Sequence, residues 1–332
     1  MRTGKELILA TKPFAEEQPL RSWWSLGSTL VVLALLLALS CLSPLWYVYI
    51  PCSIFTGLVL VRLFVIFHDF MHGTIFKKSK FAKVFMYICG LLALSPPHIW
   101  KHSHDDHHKH NSRLFGPTLG TFPLMTVSEY AESNSSQRLM YRIIRHPLVI
   151  AFGYLTSFFW AMSLHNFLQK PKKNLMAGVA VLLHVALSVT LLLISVHAYV
   201  WGMLIPMTIA GALGTYLFYA QHNFPNVELR DDKDWDYVFA ALNSSSYMKM
   251  GGLMRWLTAN IGFHHVHHLN SKIPFYRLQE ANKEIEELQN CKTTSLNPIE
   301  VVRCLRLKLW DASTGRMLTF HEAKASLAEA NS

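Results

Sequence analysis

Charge is scarce in this sequence. Only 16% of its 332 residues are Asp, Glu, Lys or Arg, against 51% hydrophobic ones, which is too little polar surface for an ordinary soluble domain and puts the chain among membrane proteins. Cysteine adds nothing: Cys41, Cys52, Cys89, Cys291 and Cys304 form no C-x-x-C pair, and the first three sit in apolar runs. A disulfide framework and a zinc ribbon are both excluded. Also missing are a flavin or nicotinamide fingerprint, a cysteine set for an iron–sulfur cluster and a His-Pro-Gly-Gly haem word. No internal repeat or low-complexity tract is present either.

What charge there is leans positive, with 31 Lys and Arg against 21 Asp and Glu, a net +10. These residues are dispersed through loops and tails between apolar runs, a pattern that fits the anionic inner leaflet of a bilayer and not nucleic acid. Crossing a bilayer takes roughly 20 apolar residues, and four segments supply them: about 23–43, 45–67, 175–196 and 199–220. Glu6, Glu16 and Glu17 ahead of the first run, and a second run close behind it, argue against a cleaved signal peptide. Arg62, alone in the second run, is expected to snorkel to the interface.

Orientation follows from the basic residues. Arg2, Lys5, Lys12 and Arg21 in the tail, and Lys170, Lys172 and Lys173 in a later link, should lie in the cytoplasm, whereas the turns 41–46 and 195–201 carry no Lys or Arg and should face out. Residues 81–94 are too few to cross easily, and together with 147–164 they are expected to lie in the interface. The expected fold is all-α, an integral membrane protein of four transmembrane helices in two hairpins. A cytoplasmic tail (1–22) precedes a single membrane domain (23–332), whose helical cytoplasmic cap (221–332) bears on the histidine clusters.

Those clusters carry the chemistry. Among 18 histidines, three groups stand just past apolar runs: His68 and His72 as H-x-x-x-H, then His104, His107 and His108, and His264, His267 and His268, both as H-x-x-H-H. On a helix, positions i, i+3 and i+4 share one face, so each group can aim its imidazoles at one point. At this histidine content H-x-x-H-H is expected only about 0.05 times by chance, yet it occurs twice. If the groups share one metal site, an even number of spans must separate them, which is why 81–94 and 147–164 are kept out of the count. Imidazole suits iron, zinc, copper or nickel. Eight clustered histidines exceed what one zinc ion takes and suffice for two metals. His222, alone after the last apolar run, is either a ninth ligand or an interfacial side chain.

The boxes in this order, with Phe67-His68-Asp69, Trp100-Lys101-His102-Ser103-His104, Tyr219-Ala220-Gln221-His222 and Asn260-Ile261-Gly262-Phe263-His264-His265-Val266-His267-His268-Leu269 around them, resemble the membrane fatty acid desaturase family, above all its bacterial acyl-lipid members. The likeness runs from about Val61 to Leu309. It implies a non-haem di-iron centre with two Fe ions, held by His68, His72, His104, His107, His108, His222, His264, His267 and His268, with His102, His110 and His265 off the ligand faces. Asp69, Asp105 and Asp106 could each orient a ligand imidazole or simply be solvated acids, and Asn260 could serve the site or cap the helix behind it.

The resemblance further implies an O2-dependent oxidoreductase that places a cis double bond in an acyl-lipid substrate, in a bacterial cytoplasmic membrane and with its site on the cytoplasmic side. With no redox module of its own, it should draw two electrons from an external donor such as ferredoxin. Phe70, Met71, Trp100, Met254 and Trp256, near the boxes, could line the acyl tunnel, with ordinary helix packing the better reading for any one of them. A membrane hydroxylase or ketolase of the same superfamily is the alternative. A metal transporter is more remote, because the spans hold almost no polar residues to line a path.

Overall fold

Backbone inside hydrocarbon must satisfy every N–H and C=O within its own segment, so long apolar runs can only be helices. The computed structural model describes residues 2–114, 122–231 and 233–330; residue 1 of the expected tail, and 232 and 331–332 of the expected cap, lie outside the described residues. In chain order the helices that place the site are α1 (Pro19–Leu42), α2 (Trp46–His72), α3 (Lys80–Leu92), α4 (Pro97–Lys109), α5 (Ser135–Ile144), α6 (residues 147–169), α7 (Leu175–Ile194), α8 (Val196–Ala220) and α9 (His264–Leu269).

Four of these, α1, α2, α7 and α8, are long and apolar enough to cross a membrane, as the hydropathy pattern implies. The breaks between partners are short, Ser43 to Leu45 in the first pair and Ser195 alone in the second. α2 packs along both α1 and α8 and forms the centre of the bundle. It also runs further than the apolar stretch suggests, through the first histidine box to His72. α3 has only 13 residues, and its chain bends by 86° into α4, which starts on Pro97, a residue suited to a first helical turn.

α6 is made of Pro147–Ala151, a π-helical stretch Tyr154–His165 and Asn166–Gln169. It touches α8 at Gly211 and Thr215, and α7 at Gly178 and His184. α6 thus packs against both helices of the second pair, reaching the middle of α7 at His184. Backbones meet where it crosses α8. A Cβ on Gly211 would stand 2.4 Å from the Tyr154 nitrogen, and one on Gly153 would stand 2.0 Å from Thr215 Oγ1, so paired glycines set the contact.

The cap is mostly helical, but among the described residues it holds four short strands, with a fifth before α5, none announced by a sequence pattern. β1 (Met125–Thr126) pairs in parallel with β4 (Leu309–Asp311), which pairs antiparallel with β5 (Arg316–Leu318); β2 (Tyr247–Lys249) pairs in parallel with β3 (Thr293–Ser295). Two or three residues give no readable alternation. The N-terminal segment docks on the same cap, where Asn270 Nδ2 donates to Thr11 Oγ1 at 2.7 Å and Arg2 pairs with Glu287 at 2.8 Å. Arg62 does not snorkel to lipid. It is buried between bundle and cap, donating to Thr29 Oγ1 at 2.9 Å and to the Trp256 carbonyl at 2.5 Å, with its guanidinium 4.3 Å from the Trp256 ring centre.

Replacing Gly211 by Leu should push α6 off α8 and lower stability by about 3 kcal/mol, seen as a lower unfolding temperature of the detergent-solubilised protein. Gly214→Ala should be tolerated, since a Cβ there meets nothing closer than 3.8 Å.

Candidate metal centre

Helix ends bring the boxes together. α2 must stop immediately after His72 so that its last turn can face the cap, and Gly73 does this by taking a left-handed backbone (φ 66°) while its N–H and that of Thr74 close on carbonyls of that last turn. α4 offers His104, His107 and His108 from one face, and α9 offers His264, His267 and His268. His222 follows the end of α8 directly.

Nine histidines meet in two sets. One comprises His68, His72, His104, His108 and His267, the other His107, His222, His264 and His268; within each set, one ring nitrogen per residue lies within 4.8 Å of all the others. All nine sequence-selected residues are brought together, and neither set contains a carboxylate or a thiol. Eight of the nine are buried.

The spacing of the Nε2 atoms tests what the sets can hold. In the first set His104 lies 2.9 Å from His68 and 3.1 Å from His108, which is 3.0 Å from His267. In the second His264 lies 2.9 Å from His222 and 3.0 Å from His268. Nitrogens about 2.1 Å from a common ion are about 3.0 Å apart at right angles and about 3.4 Å apart at a tetrahedral angle. These shortest edges lie near the right-angle value and all other separations stay within 4.8 Å, so each set is compact enough to close on one ion. The Nε2 atoms of His72 and His107 are buried with no hydrogen-bond partner in the protein, as ligand atoms would be.

Electrostatics point the same way. Burial, reinforced by neighbouring imidazoles, holds His104, His107, His108, His264, His267 and His268 well below the ordinary histidine value, and burial brings His222 down to about 4. These rings are therefore neutral, the form that binds metal. Several are oriented from behind. Asp69 Oδ1 sits 3.0 Å from His68 Nδ1, and its other oxygen accepts the Phe275 N–H at 2.6 Å. The Ser244 carbonyl lies 3.0 Å from His222 Nδ1, and Trp100 stacks on His104 with ring centres 4.4 Å apart.

The other polar residues sort cleanly. Asp105 pairs with Lys101 and Asp106 with His110, so of the three acids Asp69 is the one against a ligand ring. His265 is buried but aims Nε2 at Asn282 and the Leu288 carbonyl, and His102 is exposed. Asn260 neither caps α9 nor enters the site. It takes a left-handed backbone, φ 56°, and donates to the Phe275 carbonyl.

A cavity of about 1340 Å³ opens from His104, His107 and His222 between α4, α6 and α8, with Trp100, Phe158 and Phe218 on its walls. Of the candidate tunnel residues only Trp100 lines it. Met71 lies in the core and Trp256 under Arg62, while Phe70 and Met254 are not on its wall. Sequence reasoning also missed Arg145, a fully buried residue on the cavity wall. It donates to Tyr219 Oη at 3.1 Å, to Asn223 Oδ1 and to the carbonyls of Pro123 and Leu307. Nothing in its local sequence marks it, since its partners come from three other segments, around Pro123, Tyr219 and Leu307.

Residues 44–296 match the fatty acid desaturase family. The chain is 33% identical over 271 residues to a fatty acid desaturase of Bacillus subtilis, covering 80% of this chain and 75% of that one. It is 28% identical over 251 residues to an sn-1 oleoyl-lipid 12-desaturase of Synechocystis, covering 73% and 69%. A chloroplastic omega-6 fatty acid desaturase of Spinacia oleracea is 26% identical over 272 residues, covering 73% and 54%. Four membrane-length helices, clustered histidines and a match over most of the length lead to one assignment: the chain belongs to the fatty acid desaturase family of oxidoreductases.

Proposed function

We propose that this protein desaturates acyl chains carried on membrane lipids, with dioxygen as oxidant, at a centre of two iron ions. His68, His72, His104, His108 and His267 would hold one ion and His107, His222, His264 and His268 the other. The observation that carries this reading is two all-histidine sets at the inner end of a largely apolar cavity. The names of the bacterial relatives support a lipid-linked substrate.

When bound, iron supplies the oxidising power needed to remove hydrogen from unactivated methylenes, which no side chain possesses. The protein's own residues do the rest. Trp100, Phe158 and Phe218 give the acyl chain an apolar wall and keep water from it. Asp69 fixes the His68 ring and raises its basicity. The balance requires dioxygen to take four electrons, two from the neighbouring C–H bonds and two from outside, and two further protons to reach two waters. A small external carrier such as ferredoxin is the proposed electron source. Exposed Lys272 supports it, because its ammonium donates to the His72 carbonyl at 2.6 Å and puts a positive surface group against a ligand residue.

The distribution of Lys and Arg supports a cytoplasmic tail (1–22) and cap (221–332), hence a site on the cytoplasmic side of a bacterial membrane. No observation favours zinc-based hydrolysis or transport.

Expression in a host without desaturases should yield lipids whose acyl chains have lost two hydrogens, and His107→Ala should remove the product. Acyl chains that gain an oxygen would make the protein a hydroxylase instead. Purified protein should contain two iron ions per chain by elemental analysis, falling to about one in His222→Ala, which leaves its set three ligands. Asp69→Asn should keep the fold but weaken metal retention about 10- to 100-fold in chelator competition; unchanged retention would show that the carboxylate is only structural.

A further inference from the structure

The cavity has an electrostatic bias that desaturation does not require. Arg113, Arg145, Lys170 and Lys173 line it together with His98, His102 and His165, and no Asp or Glu is among its described lining residues. An acyl chain is neutral and needs no cation. The charges therefore concern whatever the chain is attached to.

They are not equivalent. Arg145 is buried and engaged by carbonyl, amide and phenol oxygens, and Arg113 lies over Trp235. Lys170 and Lys173, at the end of α6 and just beyond it, are exposed and form no ion pair among the described residues. Gln169 and Asn174 beside them also line the cavity, but their amides are engaged by His165 and the Asn166 carbonyl, which leaves the two ammonium groups as the charged feature of that end. The wall between this polar end and the histidines is apolar, from Phe159 to Met162 and Phe218.

The surface at the mouth faces lipid. Leu155, Trp160 and Leu168 of α6 are 51%, 51% and 58% exposed, and Leu139, Met140 and Ile143 of α5 form another exposed apolar strip, with Met140 and Ile143 on the cavity wall. Exposed large apolar residues contiguous with membrane-length helices belong in the bilayer and not in water. A water-soluble acyl carrier would have to reach the cavity across that surface, whereas a membrane lipid is already there.

We propose that Lys170 and Lys173 bind the phosphate of an anionic phospholipid whose acyl chain occupies the cavity, so that the enzyme selects phospholipids over neutral glycolipids. This rests on the lipid-desaturase reading above and adds the headgroup class and the residues that read it. Lys172 supplies the built-in comparison. It sits between the two in sequence, is equally exposed, and does not line the cavity; a general attraction of basic residues to the inner leaflet would engage all three alike.

The test uses the iron-loaded protein in nanodiscs holding equal amounts of phosphatidylglycerol and diglucosyl-diacylglycerol with the same acyl chains, driven by ferredoxin and its reductase, and product is measured in each lipid by mass. Wild type should convert phosphatidylglycerol in preference. The Lys170→Glu, Lys173→Glu pair should lose about tenfold of that preference, the corresponding Gln pair less, and Lys172→Glu almost none. Equal conversion of both lipids by wild type, or an equal effect of Lys172→Glu, overturns the proposal while leaving the desaturase reading intact. Product formed only from added acyl-coenzyme A overturns the lipid carrier, and no product from any substrate overturns the function itself.

Discussion

Nine imidazoles packed nitrogen against nitrogen, eight of them buried, form an unfavourable arrangement unless something shares their lone pairs. Neutral rings at about 3 Å can exchange single hydrogen bonds, but each Nε2 has one proton or one lone pair, and His104 and His108 each face two neighbours through that atom. Such a cluster cannot be satisfied from within. A cation in each set would resolve the conflict by accepting that set's lone pairs at once, and the demands of such an arrangement run through the rest of the structure. Rings must be neutral, so they are buried; they must be held rigidly, so they sit on helix ends with partners behind them.

The membrane bundle serves as the support. α2 continues out of its apolar stretch to bring His68 and His72 to the cap, and α8 ends where His222 must begin. Two buried arginines tie the bundle to the cap, each through neutral oxygens. Arg62 joins α2 to the Trp256 carbonyl and the Thr29 hydroxyl, and Arg145 joins the end of α5 to Tyr219 and Asn223, the residues flanking His222, and to Leu307. A buried cation without a carboxylate is costly unless several dipoles surround it. Here each guanidinium bridges segments far apart in sequence, and its hydrogen bonds keep the helix ends in register with the boxes.

Much of this was legible before any coordinates, for physical reasons that differ by feature. Four long apolar runs can only be helices in a bilayer, and their boundaries came within a few residues. The box histidines were legible because helical spacing is short-range: His104, His107 and His108 announce a shared face without any knowledge of the fold. His222 stood alone and gained its place only by family resemblance. Arg145, the true cavity wall and the five strands were not legible, because each depends on segments that meet only in three dimensions. For the residues near the boxes, lining and packing could not be separated in sequence for the same reason: Trp100 lines the cavity, whereas Met71 packs in the core, the better reading for any one of them. Arg62 was taken for a snorkelling residue because sequence shows the apolar run around it and not the cap above it.

The two sets explain why the pattern H-x-x-H-H occurs twice. In α4 the pair one turn apart, His104 and His108, joins the first set, and His107 crosses to the second; in α9 the pair His264 and His268 joins the second, and His267 crosses to the first. Each helix therefore serves both sets, with opposite shares, and the distance between them is fixed by a step along a rigid helix and not by loops. What breaks the symmetry is the remaining pair of segments. α2 gives the first set two rings, whereas the chain after α8 gives the second only His222, so the sets hold five and four. Of the three clustered histidines on the cavity wall, His107 and His222 belong to the smaller set and His104 to the larger. The smaller set is thus the more open to the cavity, so under the proposed function the set with fewer rings would be the one facing the substrate.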